Sequence, residues 1–191
     1  LLLDGSSLDL SELGALGRGE RPKLRIPKKA LTEVRRARKL VDDAVREGAV
    51  VYGLTTGFGR LKNVPIAAAD LAELQRNLIL SHACGLGEPM PVEEVRIAQV
   101  LRLNGLLRGH SGVRVQTVQM LARLYEADFV PVVPRQGSVG ASGDLAPLSH
   151  MAATYLGHGE VWLAGKRMSA KRALAKLGET PLELGAKEGL A

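Results

Sequence analysis

The sequence contains little cysteine, little histidine and few aromatic residues. Its single cysteine, Cys84, has no partner for an internal disulfide and cannot by itself build a thiolate metal site. The 4 histidines are widely spaced and indicate no cluster of metal ligands, so we expect no metal. Aromatic residues make up 3% of the chain, which leaves little to stack on nucleic-acid bases. These shortages favour a protein of a reducing cytoplasm that binds neither metal nor nucleic acid.

Long apolar runs are also missing, and no basic segment followed by an apolar one resembles a leader peptide, so we expect no membrane association. Hydrophobic residues at 46% and charged residues at 24% are ordinary for a globular protein. A length of 191 residues fits one domain, 1–191. The net charge is +6, but basic and acidic residues are interleaved, as in Glu33–Arg36 and Asp42-Asp43, which indicates a solvated surface rather than a nucleic-acid site.

Hydrophobic periodicity predicts a mainly α fold. From Lys28, apolar residues recur at steps of three and four, which indicates a helix, and Gly48 is placed to end it. Similar patterns predict helices over 70–84, 92–107, 113–125 and 145–156, and from Ser169 to about Gly178. Ser11 is expected to cap a short helix after an extended segment, 1–10. Residues 161–163 and 166–168 predict a small β-hairpin.

Two glycine-rich stretches interrupt this pattern, at 50–60 and at 137–143. Three glycines in seven residues, from Gly53 to Gly59, cannot sustain a helix and therefore predict a shaped loop. The second stretch follows two prolines, and Asp144 is placed to cap the next helix. Neither stretch fits a phosphate-binding loop, and the second lacks the final glycine of a nucleophile elbow. Function is therefore sought at these loops.

The tripeptide Ala141-Ser142-Gly143 allows unusual chemistry. Because glycine has no Cβ, the amide nitrogen of Gly143 can approach the carbonyl carbon of Ala141. If this attack closes a ring, loss of water from Ser142 leaves an exocyclic methylidene, an electrophile that no standard side chain supplies. A plain glycine-rich turn with a helix cap at Asp144 explains the same pattern, and the residues alone leave both interpretations open.

The twelve residues 137–148, Gly-Ser-Val-Gly-Ala-Ser-Gly-Asp-Leu-Ala-Pro-Leu, resemble the signature of the aromatic amino acid ammonia-lyase family. The resemblance extends through 52–59, 77–87, 104–112 and 186–191. It implies a helical lyase-type fold whose Ala141, Ser142 and Gly143 form the prosthetic group 4-methylideneimidazole-5-one (MIO). It also implies a carbon–nitrogen lyase that needs no metal, and a homotetramer in the complete protein.

The resemblance assigns roles to two further residues. Tyr52 matches the family tyrosine that precedes the first glycine-rich loop, and we expect it to be the base that removes the β-proton of the substrate. His82 belongs to the pair Ser81-His82, which resembles the histidine-specific members, whose product is trans-urocanate. An imidazole can donate and accept hydrogen bonds, which suits recognition of another imidazole. His110 and His150 are expected to be structural.

Other interpretations remain open at this point. A phenylalanine or tyrosine lyase, an aminomutase, or an inactive helical fragment with the ring unformed would carry a similar signature. Family chains are well over twice this length, so the resemblance implies that residues 1–191 are the N-terminal, prosthetic-group-bearing portion. The family assembles each site from several subunits, and we expect the isolated portion to be inactive.

Overall fold

The computed structural model describes residues 1–57, 64, 66–138 and 145–191. About half of the chain is helical, and small sheets accompany the helices. The helices are α1 (Leu10–Gly17), α2 (Lys28–Arg46), α3 (Leu71–His82), α4 (Val92–Leu107), α5 (Val115–Glu126), α6 (Leu145–Tyr155) and α7 (Ala170–Lys176), with a 3-10 turn at Ala68–Asp70. Each α-helix begins within two residues of its predicted start, so the expected helical segments are confirmed.

The ends of the helices agree with the sequence only in part. Gly48 lies in the left-handed region, at φ +65°, and its amide donates to the Val45 carbonyl at 3.2 Å, which closes α2 as expected. The prediction that Ser11 caps the first helix is wrong. Asp9 accepts the Glu12 amide at 2.9 Å, and the Glu12 carboxylate accepts the Asp9 amide at 3.1 Å. This reciprocal pair satisfies two helix-terminal donors, and α1 begins at Leu10.

The predicted hairpin is confirmed as β4 (Glu160–Leu163) and β5 (Lys166–Ser169), with Val161 opposite Met168. The sequence did not predict the three short strands β1 (Leu86–Pro89), β2 (Phe129–Pro131) and β3 (Pro134–Gln136). β2 adds to the hairpin, antiparallel to β4, and β1 pairs antiparallel with β3. These strands contain prolines and pair across long sequence separations, so local patterning carries no signal for them.

Two large apolar clusters form most of the core, beside a small one of Ile79, Ala153 and Leu184. One large cluster joins β2, the hairpin, α4, α5, α6 and α7 around Phe129, Leu124, Val161 and Leu174. The other packs α1, α2, α4 and α5 together. The shared helices α4 and α5 connect the two clusters, so the segments that surround them are fixed relative to one another.

A buried carboxylate anchors the last ten residues. The Glu188 side chain has 0% exposure and pairs with Arg114 at 2.6 Å. It also accepts the Thr117 hydroxyl at 2.7 Å and the amides of Arg114 and Gly185 at 2.8 Å each. Burial alone would raise the pKa of Glu188, but these hydrogen bonds outweigh it, so the pKa lies below its ordinary value.

Gln75, on α3, holds the same terminal segment from the opposite direction to Glu188. The side-chain oxygen of Gln75, on α3, accepts the amide of Gly189 at 2.8 Å and that of Leu190 at 3.1 Å. Gln75 is fully buried, so these bonds replace contacts with water. Residues 185–190 are therefore attached to α5 through Glu188 and to α3 through Gln75.

Glu188→Gln should destabilise the protein by about 3 kcal/mol, because Arg114 would lose its buried anionic partner. The lowered pKa means that the ionised carboxylate stabilises the fold above its ordinary pKa of 4.5 and loses this effect as the pH falls through the folded-state value. The difference from wild type should therefore be largest near neutral pH and shrink in acid. Urea unfolding at several pH values measures it. Glu183→Gln, at an exposed position, is the control. An equal effect of both substitutions would refute the anchoring role.

Candidate active site

The end of α3 and the start of α6 meet at one junction. His82 is the last residue of α3, and Gly85 follows three positions later. The Gly85 amide donates to His150 Nε2, on α6, at 2.8 Å. Burial lowers the pKa of His150, which keeps the ring neutral and its Nε2 able to accept this bond. The structural role expected for His150 is therefore a hydrogen bond that connects α6 to the segment after α3.

Close backbone contact brings a third segment to the junction. A Cβ at Gly137 would lie 3.0 Å from the Gly85 Cα and 3.0 Å from the Ala146 Cβ. A Cβ at Gly85 would lie 3.0 Å from the Gln136 carbonyl oxygen and 3.1 Å from His150 Nε2. A side chain at either position would therefore push its neighbours apart, which favours glycine at both. The pairing of β1 with β3, with Leu86 opposite Gln136, continues the contact outward.

This junction brackets the predicted prosthetic-group tripeptide. Ala141, Ser142 and Gly143 lie outside the described residues, and so does the predicted cap, Asp144. Gly137 and Ala146 flank them on either side. Gly137 lies against Gly85, and α6, which contains Ala146, is bonded to Gly85 through His150. The backbone on each side of the tripeptide is thus held next to the segment that follows His82.

Hydrogen bonds define the tautomer of the His82 ring. Its Nδ1 lies 2.8 Å from the Leu78 carbonyl oxygen and 3.1 Å from the Ser81 hydroxyl. Because a carbonyl oxygen only accepts, Nδ1 carries the proton, and in the neutral ring Nε2 is an acceptor. The side chain is half-buried. His82 therefore offers a hydrogen-bond acceptor of fixed orientation at the end of α3.

Tyr52 lies on a different segment, a turn over residues 52–55. Thr55 holds this turn: its hydroxyl donates to the Ala49 carbonyl at 2.5 Å and accepts the Val51 amide at 2.9 Å. Gly53 adopts φ +67°, which a residue with a Cβ rarely does. Tyr52 is 58% exposed. The next residues of the first glycine-rich stretch, Phe58–Arg60, lie outside the described part of the chain.

The remaining candidates contribute no further site. His110 is exposed, and Cys84, two residues after His82, is exposed as well. Across 1–57, 64, 66–138 and 145–191, no three histidine, cysteine or carboxylate side chains lie close enough to hold a metal ion. Within the same ranges no helix is both long and apolar enough to cross a membrane. Residue spacing gives no signal for the contact of Gly85 with Gly137, so the sequence does not predict it.

Comparison with known proteins identifies the group to which this architecture belongs. The structure matches ergothionase from Treponema denticola with a TM-score of 0.93 and 33% identity over 100% of this chain and 38% of that one. It matches histidine ammonia-lyase from Trypanosoma cruzi with a TM-score of 0.90 and 41% identity over 99% of this chain and 36% of that one.

Sequence comparison gives the family. Residues 8–191 match the family model of the aromatic amino acid lyases, and the chain belongs to this family. It is 48% identical to histidine ammonia-lyase from Myxococcus xanthus over 191 residues, which are all of this chain and 37% of that protein. The chain therefore spans little more than a third of the length of this relative.

His150→Ala should destabilise the fold by about 1–2 kcal/mol at neutral pH, because the Gly85 amide loses its acceptor. The lowered pKa of His150 gives this contribution a definite pH dependence. It is complete above the ordinary value of 6.5 and declines as the pH falls below it, because the unfolded chain then binds a proton that the folded ring resists. Thermal unfolding between pH 5 and 8 measures the difference.

The exposed His110 supplies the matched control for this test. His110→Ala should leave stability nearly unchanged, because this side chain is exposed. If His150→Ala behaves like His110→Ala, the hydrogen bond to Gly85 does not hold the junction.

Proposed function

We propose that this chain is the N-terminal part of an enzyme that converts L-histidine to trans-urocanate and ammonia. The observation that carries the proposal is the position of His82. It presents an acceptor nitrogen at the end of α3. Gly85, which follows that end, lies against Gly137 before Ala141-Ser142-Gly143 and is bonded to His150 on α6, which follows the tripeptide. Membership in the aromatic amino acid lyase family and 48% identity to a histidine ammonia-lyase support it.

The residues fit the MIO group of the family. Ala141, Ser142 and Gly143 would supply its atoms, and the close approach of Gly137 to Gly85 and to Ala146 constrains the backbone on both sides. When formed, the group supplies an electrophile toward the amino group of the substrate. α6 begins at Leu145, so its free first-turn amides would face the tripeptide and favour negative charge there.

His82 would recognise the substrate side chain. Since Nδ1 donates to the Leu78 carbonyl, Nε2 remains to accept the N–H of the substrate imidazole. A phenyl ring has no such donor and would leave Nε2 buried without a partner, which costs binding energy in the transition state. This hydrogen bond is our proposed basis for preference of histidine over phenylalanine.

Tyr52 would be the base that removes the β-proton of the substrate. The turn that carries it is fixed by Thr55 and closed by the bond from the Ile66 amide to the Thr55 carbonyl at 2.9 Å. Its side chain is exposed in this chain, so the proposal requires that other parts of the full-length protein cover the ring and stabilise its phenolate. We propose a cytoplasmic homotetramer in which neighbouring subunits provide that cover.

The fold alone does not select the substrate. The ergothioneine-degrading enzyme of Treponema denticola has the same architecture at a TM-score of 0.93, although its name gives it a different substrate. A phenylalanine or tyrosine lyase and an aminomutase are therefore alternatives on the same scaffold. The pair Ser81-His82 favours histidine, and the experiments below separate these activities.

Formation of the prosthetic group should be visible in the mass of the full-length protein. The peptide spanning Gly137 to Leu145 should be lighter by two waters than its sequence requires. Ser142→Ala should keep the alanine-containing peptide at its full mass and abolish turnover, whereas Ser149→Ala, on α6, should still cyclise. Full activity in Ser142→Ala would disprove the assignment of the electrophile.

Tyr52→Phe should lower kcat of the full-length enzyme by orders of magnitude with little change in Tm, because it removes one oxygen from an exposed side chain. Tyr125→Phe is the matched control, since the Tyr125 hydroxyl is buried without a hydrogen-bond partner in the described structure. A loss of tenfold or less in Tyr52→Phe, about 1.4 kcal/mol, would mean that another group is the base.

The full-length enzyme should prefer L-histidine to L-phenylalanine and L-tyrosine by at least about a hundredfold in kcat/KM, or 2.7 kcal/mol. Replacing Ser81-His82 with Phe-Leu should weaken histidine turnover and admit phenylalanine. His110→Leu should leave the preference unchanged. Ultraviolet detection of urocanate, cinnamate and coumarate in competition measures all three. Faster formation of cinnamate or coumarate by the unmodified enzyme would overturn the histidine assignment and leave the lyase assignment intact.

A further inference from the structure

Four basic side chains gather where the anchored terminal segment meets the start of α5. Two of them have anionic partners. Arg38 pairs with Asp42 at 2.7 Å and also donates to the Ala186 carbonyl at 2.9 Å. Arg114 pairs with Glu188, whose carboxylate is fully engaged by the bonds described above. Their charges are thus neutralised within the chain.

The other two, Arg102 and Lys187, have no described anionic partner among residues 1–57, 64, 66–138 and 145–191. Burial lowers the pKa of Arg102. Arg102 lines the same cavity as Glu188 and Gly189, the two residues that follow Lys187. Burial and then the charge of Arg102 lower the pKa of Lys187. Both side chains are half-buried, so water screens their repulsion incompletely. Among the residues that the structure describes, two of the four cations are therefore left without a compensating carboxylate.

The backbone holds Lys187 in this position. It adopts φ +75°, a conformation that costs energy for a residue with a Cβ. Its Cγ lies 3.8 Å from the position that a Cβ on Gly112 would occupy, so the stem of the side chain packs against that glycine. The bonds of Glu188 and Arg38 on either side of it maintain the strained residue.

Arg102 also lines a cavity of about 140 Å³. Its walls come from α3, α4, α5, α6 and the terminal segment, and they are mainly apolar, with Ile79, Leu106, Leu145 and Leu148 among them. Glu188 is the carboxylate in this wall, but its oxygens are already bonded elsewhere. A small apolar cavity with a guanidinium in its wall suits one side-chain carboxylate better than a hydrated ion.

We propose that Arg102 and Lys187 form a carboxylate-binding site, and that an aspartate or glutamate from the part of the full-length protein beyond this chain occupies it. The chain spans 37% of its Myxococcus relative, so most of the family's sequence lies outside it and can supply the partner. Two half-buried cations destabilise the fold unless an anion stays with them, and a protein side chain is permanent whereas a substrate is transient. The inference depends on family membership and not on the proposed substrate.

Thermal unfolding of the full-length protein tests the proposal. Arg102→Met should lower Tm by at least about 3 °C, because the partner carboxylate would lose its counter-charge in an apolar cavity. Arg102→Lys keeps a cation and should restore most of the loss. Lys187→Met should give a smaller decrease. Arg172→Met, which removes an exposed arginine from α7, should change Tm by less than about 1 °C and is the matched control.

Two outcomes would overturn the proposal. If Arg102→Met matches Arg172→Met, no anion is held at this site. If Arg102→Met leaves Tm unchanged but raises KM for L-histidine tenfold or more, the carboxylate belongs to the substrate and not to the protein. A crystal structure of the full-length protein gives the direct result: a side-chain carboxylate oxygen within 4 Å of the Arg102 guanidinium supports the proposal, and water alone there refutes it.

Discussion

The close approach of Gly137 to Gly85 and to Ala146 is the constraint on which the candidate site depends. At these separations a Cβ on either glycine would force its neighbours to shift. The contact is reinforced by the bond from the Gly85 amide to His150 and by the pairing of β1 with β3. Three segments that are far apart in sequence are thereby held in one relative position.

The other end of the molecule is organised by charge rather than by close packing. Glu188 accepts from three kinds of donor, the Arg114 guanidinium, the Thr117 hydroxyl and two backbone amides, and is stable as a buried anion because each oxygen is satisfied. Within the described part of the chain, Arg102 and Lys187 have no comparable arrangement. Glu188 is fully bonded by donors within this chain, so its contacts belong to this part of the protein. Arg102 and Lys187 lack such contacts here, which agrees with a partner from another part.

The sequence predicted the helices well because each is amphipathic over three or more turns, as α2 is through Ala30, Val34 and Val41. It failed where pairing is non-local. β2 is buried on every residue, yet its three positions contain no local sign that they pair with β4. Serine is a common cap, so the sequence favours Ser11 as the cap of α1. In the structure Asp9 is the cap, and it exchanges reciprocal hydrogen bonds with Glu12 three residues later.

The residues of the candidate site were also predictable from the sequence only in part. The tripeptide 141–143, Tyr52 and His82 were singled out by a resemblance of motifs, and their catalytic roles remain predictions. Physical reading of the sequence alone did not find Gly85, Gly137 or Glu188. A glycine that permits close approach looks like any loop glycine, and a buried glutamate near the end of the chain looks like a solvated one.

Cys84 has a practical consequence. It is exposed, its amide donates to the His82 carbonyl at 2.9 Å, and the sequence contains no second cysteine. A thiol-reactive fluorophore would therefore attach at a single place within this chain, one residue from Gly85 and two from His82. Its emission would report changes in local polarity at the junction, so covering of the junction by another part of the proposed full-length enzyme could be followed optically without engineering a label.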